Sequence, residues 1–201
     1  MDLNALNRIS YGLYVLSVRL GDKDNGCIVN TVTQVTSSPT RIAVTVNKQN
    51  LTHDVLLHTG SFNVSVISES AKFALFKRFG FQSGRDADKF DGLSGARRAA
   101  NQIAYITEGI CAYLSAKVIS SVDLGTHTLF IAEVTECEVL SEDAPMTYAY
   151  YHANVKPKPE ESPAAKGFRC KICGYIYEGE ELPPDFICPW CKHGVEDFEK
   201  I

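Results

Sequence analysis

The 201-residue chain contains no apolar run near the roughly 18 residues that a membrane-spanning helix requires. Its first stretch, Met1–Leu20, carries Asp2 and Arg8 ahead of a short apolar run from Leu13 to Val18, so the basic start and cleavage site of a signal peptide are missing too. These absences lead us to expect a cytoplasmic protein with no membrane partner. A basic surplus is also lacking. The formal charge is −4, which gives no reason to expect nucleic acid. Neither GxGxxG nor a Walker loop occurs, so a pyridine nucleotide would have to bind without a Rossmann unit. The run DADKFDG fails as a calcium loop, because Phe90 stands at its fifth position and glycine comes one residue late. NLT and NVS are glycosylation sequons only in a secreted protein.

What is present fits a soluble globular composition, with 45% hydrophobic and 22% charged residues. The acidic surplus is concentrated. Residues 167–201 hold four basic and seven acidic side chains, leaving a balance of −1 for the other 166 residues. An acidic module of this kind is steered towards a basic docking surface. Seven cysteines without an export signal do not suggest a disulfide framework. Cys27, Cys111 and Cys137, scattered among apolar residues, read as buried small hydrophobes.

Segments rich in Val, Ile and Thr predict strands at Tyr11–Arg19, Cys27–Thr36, Ile42–Val46, Phe62–Ile67, Cys111–Val122 and Thr126–Leu140. Broken by Gly, Asn and Pro turns, they suggest a barrel or sandwich. Helical spacing occurs at Thr52–Thr59, capped by Asn50 or Thr52, and at Glu69–Phe79. The stretch VKPKPEESPAAK, Val155–Lys166, has three prolines and five charges and nothing to bury. It predicts an extended linker spanning up to about 37 Å at ~3.1 Å per residue. The expected division is therefore 1–154, a linker at 155–166, and 167–201.

The last part reads FRCKICGYIYEGEELPPDFICPWCKHGVEDF, two Cys-x2-Cys knuckles separated by fourteen residues. Cys170, Cys173, Cys188 and Cys191 suit a tetrahedral tetrathiolate site for zinc or iron. A unit this small buries too little apolar surface to fold alone, so bound metal must supply much of its stability. Tyr175, Tyr177, Phe186, Trp190 and Phe198 can form an aromatic shell around the metal. Gly174 suits a turn of positive φ, and Lys192 takes the corresponding place in the second knuckle. His193 is not needed as a ligand, since four thiolates complete the tetrahedron. CKICGYIYEGEE, PPDFICPWC and the terminal DFEKI resemble the rubredoxin family, especially the short-loop form that ends rubrerythrins. That resemblance implies one iron, Fe(Cys)4, exchanging single electrons.

In the run NGCIVNTVTQVTSSPTRIAVTVNKQNLTHDVLLHTGSFNVSV, Thr31, Thr33 and Gln34 form a polar edge on an apolar strand. Asn47, Lys48, Asn50 and Thr52 occupy a strand-to-helix junction, where they act either as turn and cap residues or as phosphate ligands. The order NTVTQV, SSP, VTVNKxNxTH, FNVSV, then FGFQSGRDADKF and GTHTLFIAEV, resembles flavin reductase-like proteins over roughly residues 5–152. The resemblance implies a mainly β fold, an FMN-binding split β-barrel with a few helices, joined here to a small C-terminal rubredoxin-like module. It implies a homodimer with FMN near the subunit interface. By the same resemblance Thr31, Thr33 and Gln34 line the isoalloxazine ring, Asn47, Lys48, Asn50 and Thr52 meet the phosphate and ribityl chain, and Arg85 adds a second cation. His127 matches a histidine on the nicotinamide side, with Thr126 where many relatives have Asp. Tyr148, Tyr150 and Tyr151 either cover the flavin or interface or pack in the core.

The expected function is an oxidoreductase that takes hydride from NAD(P)H onto FMN and passes single electrons to iron and on to a redox protein, such as a flavodiiron oxygen or nitric oxide reductase. Two alternatives remain at this point. One is a flavin reductase with a zinc-bound docking module, and the other is a flavin and iron carrier that does not accept NAD(P)H directly.

Overall fold

The computed structural model describes residues 2–157, 167–171, 174–189 and 194–201. The chain divides into two compact units, Met1–Val155 and Lys156–Ile201. Most of the expected linker, residues 158–166, lies outside the described residues.

In the first unit β1 (Tyr14–Leu20) and β2 (Lys23–Val29) form a hairpin, followed by β3 (Thr33–Ser37) and β4 (Thr40–Asn47). After α1 (Leu51–Thr59) come β5 (Ser61–Ile67), α2 (Phe73–Gly80), the short β6 (Ala96–Arg98) and β7 (Ala104–Ile106), then the long hairpin β8 (Ile110–Asp123) and β9 (His127–Val139). Seven of these strands form one sheet in the order β2-β1-β5-β8-β9-β4-β3, antiparallel throughout. Its two edge strands, β2 and β3, are joined only by residues 30–32. A flat sheet would hold such edges about 29 Å apart, at roughly 4.8 Å per strand. Four Cα steps reach about 15 Å at most. The sheet must therefore curl until its edges approach, which makes it a barrel.

One face of the curled sheet gathers Leu16, Val18, Cys27, Val44, Val46, Phe62, Val64 and Phe130 into a buried cluster that also takes in Val55 and Leu56 of α1. The other face of β1 contributes Val15, with Leu13 just before the strand, to a second cluster with Phe76 and Phe79 of α2, Ile106, Met146 and Tyr151. Both faces of β1 are thus covered, which explains the run of four buried residues along it. Further along that second face the register aligns Ser17, Asn63, Ser115 and Glu136 across four strands. The β6–β7 hairpin and its loop cover this polar row. Asn63 Nδ2 donates to Ile103 O at 2.9 Å, Asn63 Oδ1 accepts from Asn101 at 2.7 Å, and Glu136 accepts from Ala100 N–H at 3.1 Å. Asp24 receives Arg19, Arg98 and the Ala104 amide, so directional bonds add to the burial of Ile106 and to the stacking of Tyr105 on Tyr113 in fastening the hairpin.

The expected segments meet the structure unevenly. β4, β5, β8, β9 and α1 fall within two residues of their expected bounds, and α1 begins at the expected Asn50 cap. The expected strand Cys27–Thr36 is two strands at opposite edges of the sheet, because residues 30–32 turn a corner without the Gly or Pro that usually signals one. β2 starts at Lys23 through Asp24, Asn25 and Gly26, residues of low strand propensity that pairing with β1 overrides. α2 begins four residues later than expected, at Phe73. The β6–β7 hairpin and the helical turns Tyr148–Tyr150 and Tyr151–Val155 gave no periodic signal.

The second unit has a three-stranded sheet, β11-β10-β12, from β10 (Phe168–Cys170), β11 (Ile176–Tyr177) and β12 (Phe198–Lys200). Gly167 joins its ends through mutual backbone bonds with Ile201. Phe186 lies at the centre of an aromatic group, with ring centroids 4.7 Å from Tyr177, 5.4 Å from Phe198 and 6.4 Å from Tyr175. Among the described residues no helix is long and apolar enough to cross a membrane.

Candidate active site and metal centre

The β4–α1 junction stands beside the β8–β9 turn because Asn47 and His127 form the last register pair of β4 and β9. Asn47 Oδ1 accepts from Gln49 N–H at 2.9 Å, bending the chain into α1. Asn50 is the N-cap of α1 in an extended conformation, and its side chain makes no capping bond. Lys48 donates from its backbone amide to Thr126 O at 3.0 Å and from Nζ to Asp123 Oδ1 at 2.6 Å. Thr126 Oγ1 lies 2.9 Å from His127 Nδ1. Thr52 is buried and donates to Asn25 Oδ1 at 2.7 Å, so its hydroxyl points away from the junction surface.

Thr31 lies in the corner between β2 and β3, where its hydroxyl bonds both the amide and the carbonyl of Thr45. Thr33 and Gln34 are exposed on edge strand β3, and Gln34 Nε2 donates to Thr36 O at 3.2 Å. Tyr151 is placed elsewhere. It is 7% exposed, with its ring centroid 4.4 Å from that of Phe76 in the second cluster, which matches the core-packing reading of this tyrosine. Tyr150 packs against the same cluster, and Tyr148 makes an edge contact with Tyr11 at 6.4 Å.

Both expected cations carry carboxylate partners. Arg85 donates to Asp54 Oδ2 at 2.6 Å, while Asp54 Oδ1 faces His53 Nδ1 at 3.1 Å and His53 Nε2 faces Thr128 Oγ1 at 2.9 Å. A carboxylate only accepts, so this network places a proton on His53 Nδ1. Hydrogen bonds from His53 and Arg85 hold the Asp54 carboxyl below the usual range, and those from Lys48 and the Gly125 amide do the same for Asp123. Burial pushes the Cys27 thiol up and the Lys89 ammonium down; Lys89 donates to Gly26 O and Phe79 O. Cys27 and Cys111 are buried as expected, whereas Cys137 is exposed on β9.

His53, Asp54, Thr128 and Asp123 were not singled out from sequence. His53 does stand in the VTVNKxNxTH run. Asp123 offers no local signal, since its partner lies 75 residues away.

In the second unit Cys170 and Cys188 are buried at 1% and 0% exposure, and Cys173 and Cys191 lie outside the described residues, as do Trp190, Lys192 and His193. Cys170 O accepts from Gly174 N–H at 2.9 Å, with Gly174 at φ +81°, and Cys170 N–H donates to Tyr175 O at 2.8 Å. This is the tight turn of positive φ expected there, and it folds the chain back directly after the first knuckle. Two buried thiols beside an aromatic group fit a soft, thiophilic metal.

A profile of the flavin reductase like domain matches residues 6–158. The chain belongs to the flavin reductase-like family. A rubrerythrin, rubredoxin-like domain follows at residues 168–199. The chain is 37% identical over 230 aligned positions to the high molecular weight rubredoxin of Moorella thermoacetica, covering 100% of both. It is 39% identical over 158 residues to the ferric-chelate reductase (NAD(P)H) of Archaeoglobus fulgidus, covering 79% of this chain and 93% of the relative. Among solved structures, BorF, the flavin reductase component of a bacterial two-component tryptophan halogenase, superposes with a TM-score of 0.63 and 25% identity, over 73% of this chain and 93% of its own. The NADH:FAD oxidoreductase SgcE6 of Streptomyces globisporus shares the fold at a TM-score of 0.64 and 23% identity, covering 71% of this chain and 84% of its own. Like other flavin reductase-like proteins, the chain is an oxidoreductase. Its rubredoxin-like domain adds electron transfer.

Proposed function

We propose that this oxidoreductase takes hydride from NAD(P)H onto FMN and passes electrons singly through a Fe(Cys)4 centre to a protein acceptor. The observation that carries this reading is the full-length correspondence with a high molecular weight rubredoxin, which pairs the flavin reductase-like barrel with the thiolate module in one chain. Bound FMN supplies the conversion between two-electron and one-electron chemistry that such a pairing needs.

The β4–α1 junction fits a phosphate. The α1 N-terminus has no side-chain cap, Asn47 and Asn50 flank it, and Lys48 and Arg85 are the nearby cations. Thr33 and Gln34 on β3, with Thr31 at the corner, offer the polar edge for the heterocycle. His127, half-buried beside Asn47, serves the nicotinamide side. Cys170, Cys173, Cys188 and Cys191 hold the iron. Val35, Ile119, Val122 and Leu124 are exposed apolar side chains on β3, distal β8 and the turn after it, and covering them supports a homodimer. Ile187 is 54% exposed next to Cys188, amid exposed Glu178, Glu180, Glu181 and Asp185. That surface suits an acceptor with a basic rim, and a flavodiiron-type reductase is the acceptor we propose, in the cytoplasm.

The test is metal analysis followed by anaerobic visible spectroscopy with NADH and NADPH. About one iron per chain, and loss of both flavin and ferric–thiolate absorbance on adding nucleotide, are expected. Stoichiometric zinc in protein from its natural source overturns the electron-transfer reading. Failure of both nucleotides to reduce bound FMN leaves a carrier reduced by another protein.

A further inference from the structure

We infer that Asp123, gripped by Lys48, is the residue that positions His127, so that an ion pair on the far side of the β8–β9 turn sets the nicotinamide step. This rests on the nicotinamide role of His127 proposed above, and not on any phosphate role of Lys48.

The turn from Asp123 to His127 is closed by Leu124 N–H donating to His127 O at 2.9 Å. Gly125, at φ +85°, donates its amide to Asp123 Oδ1 at 2.8 Å. That same oxygen receives Lys48 Nζ at 2.6 Å, while the Lys48 amide holds Thr126 O at 3.0 Å. Lys48 therefore grips the turn at two points, one on each side of Gly125. Within one protomer packing contributes little, since Asp123, Leu124, Gly125 and Thr126 are all exposed. Thr126 is the residue whose hydroxyl meets His127 Nδ1. The direction of the imidazole thus follows the conformation of Thr126, and that conformation follows the Lys48–Asp123 contact.

Removing the Asp123 carboxylate frees the Gly125 amide and the ammonium together. Removing the ammonium leaves Asp123 with the Gly125 amide alone. Each loss loosens one element, so the two effects should not add.

The experiment compares Asp123→Ala, Lys48→Met, the double variant and His127→Ala in the full chain at saturating FMN. Expected for each single Lys48 or Asp123 variant is a fall of about three- to tenfold in kcat/KM for the nicotinamide, the order of one exposed ion pair plus one turn hydrogen bond. The double variant should fall no further, and Lys48→Arg should restore most of the loss. Exchange of the Gly125 amide, read by NMR, should accelerate in Asp123→Ala, and FMN affinity of that variant should be no weaker than the parent's, since the Lys48 ammonium is released rather than removed. The inference is overturned if Asp123→Ala keeps parental nicotinamide kinetics, or if the Lys48→Met defect disappears at saturating FMN. If His127→Ala itself reduces FMN at the parental rate, the proposed role of His127 falls. If His127→Ala is slow and Asp123→Ala is not, only the positioning role falls.

Discussion

The hydroxyl of Thr31 serves both backbone groups of Thr45, accepting from its amide at 3.0 Å and donating to its carbonyl at 2.9 Å. β3 pairs with β4 only over Thr40–Ala43, so Thr45 has no β3 residue opposite it. One side chain from the corner replaces the missing strand and holds the barrel seam closed.

Thr31→Val should therefore leave an amide and a carbonyl of Thr45 unpaired, destabilising the first unit by about 1–3 kcal/mol. Thr31→Ser should retain most of the stability. Chemical denaturation of the three proteins measures the difference, and equal midpoints for Thr31→Val and the parent would remove the seam role.

Tyr113 donates to Glu136 Oε1 at 2.7 Å beneath the β6–β7 hairpin, and this bond lowers the Glu136 pKa while raising that of Tyr113. A carboxyl depressed in the folded state stabilises above its unfolded value of about 4.3 and loses that contribution as pH falls through the folded value. A phenol raised in the folded state stabilises below about 10 and loses the contribution as pH rises further. Glu136→Gln should flatten both limbs of a melting-temperature profile. Unchanged acid and alkaline limbs would count against this pair.

Gly167 has φ +146°, and a Cβ placed there would lie 2.2 Å from Tyr177 O. Gly167→Ala should separate β10 from β11 at a cost of roughly 1–3 kcal/mol for the backbone alone. Faster metal loss to a chelator, with unchanged melting of the first unit, is the expected outcome.

Cys170→Ser removes a buried thiol from the second unit. Loss of the parental metal spectrum is expected, with normal FMN binding, because the units are separate compact bodies. Concurrent loss of FMN would show that the first unit depends on the second.

Several features were legible in the residues alone. Two Cys-x2-Cys knuckles mark the metal module by type and spacing, and Gly174 marks its turn, because thiol chemistry and positive φ are local properties. The long hairpin β8–β9 and strands β4 and β5 were readable because their apolar and β-branched content is continuous. The edge-to-edge closure at Thr31, the polar layer under β6–β7, and the pairing of Lys48 with Asp123 and Arg85 with Asp54 were not readable. Each joins groups distant along the chain, at geometries that no periodicity encodes. The sequence by itself determined the chemistry available, thiolates in one unit and amides, hydroxyls and cations in the other. Only the tertiary structure decided which of those groups meet, because curling the sheet sets the pairs, and a hydrogen bond forms only where its partners come within about 3 Å.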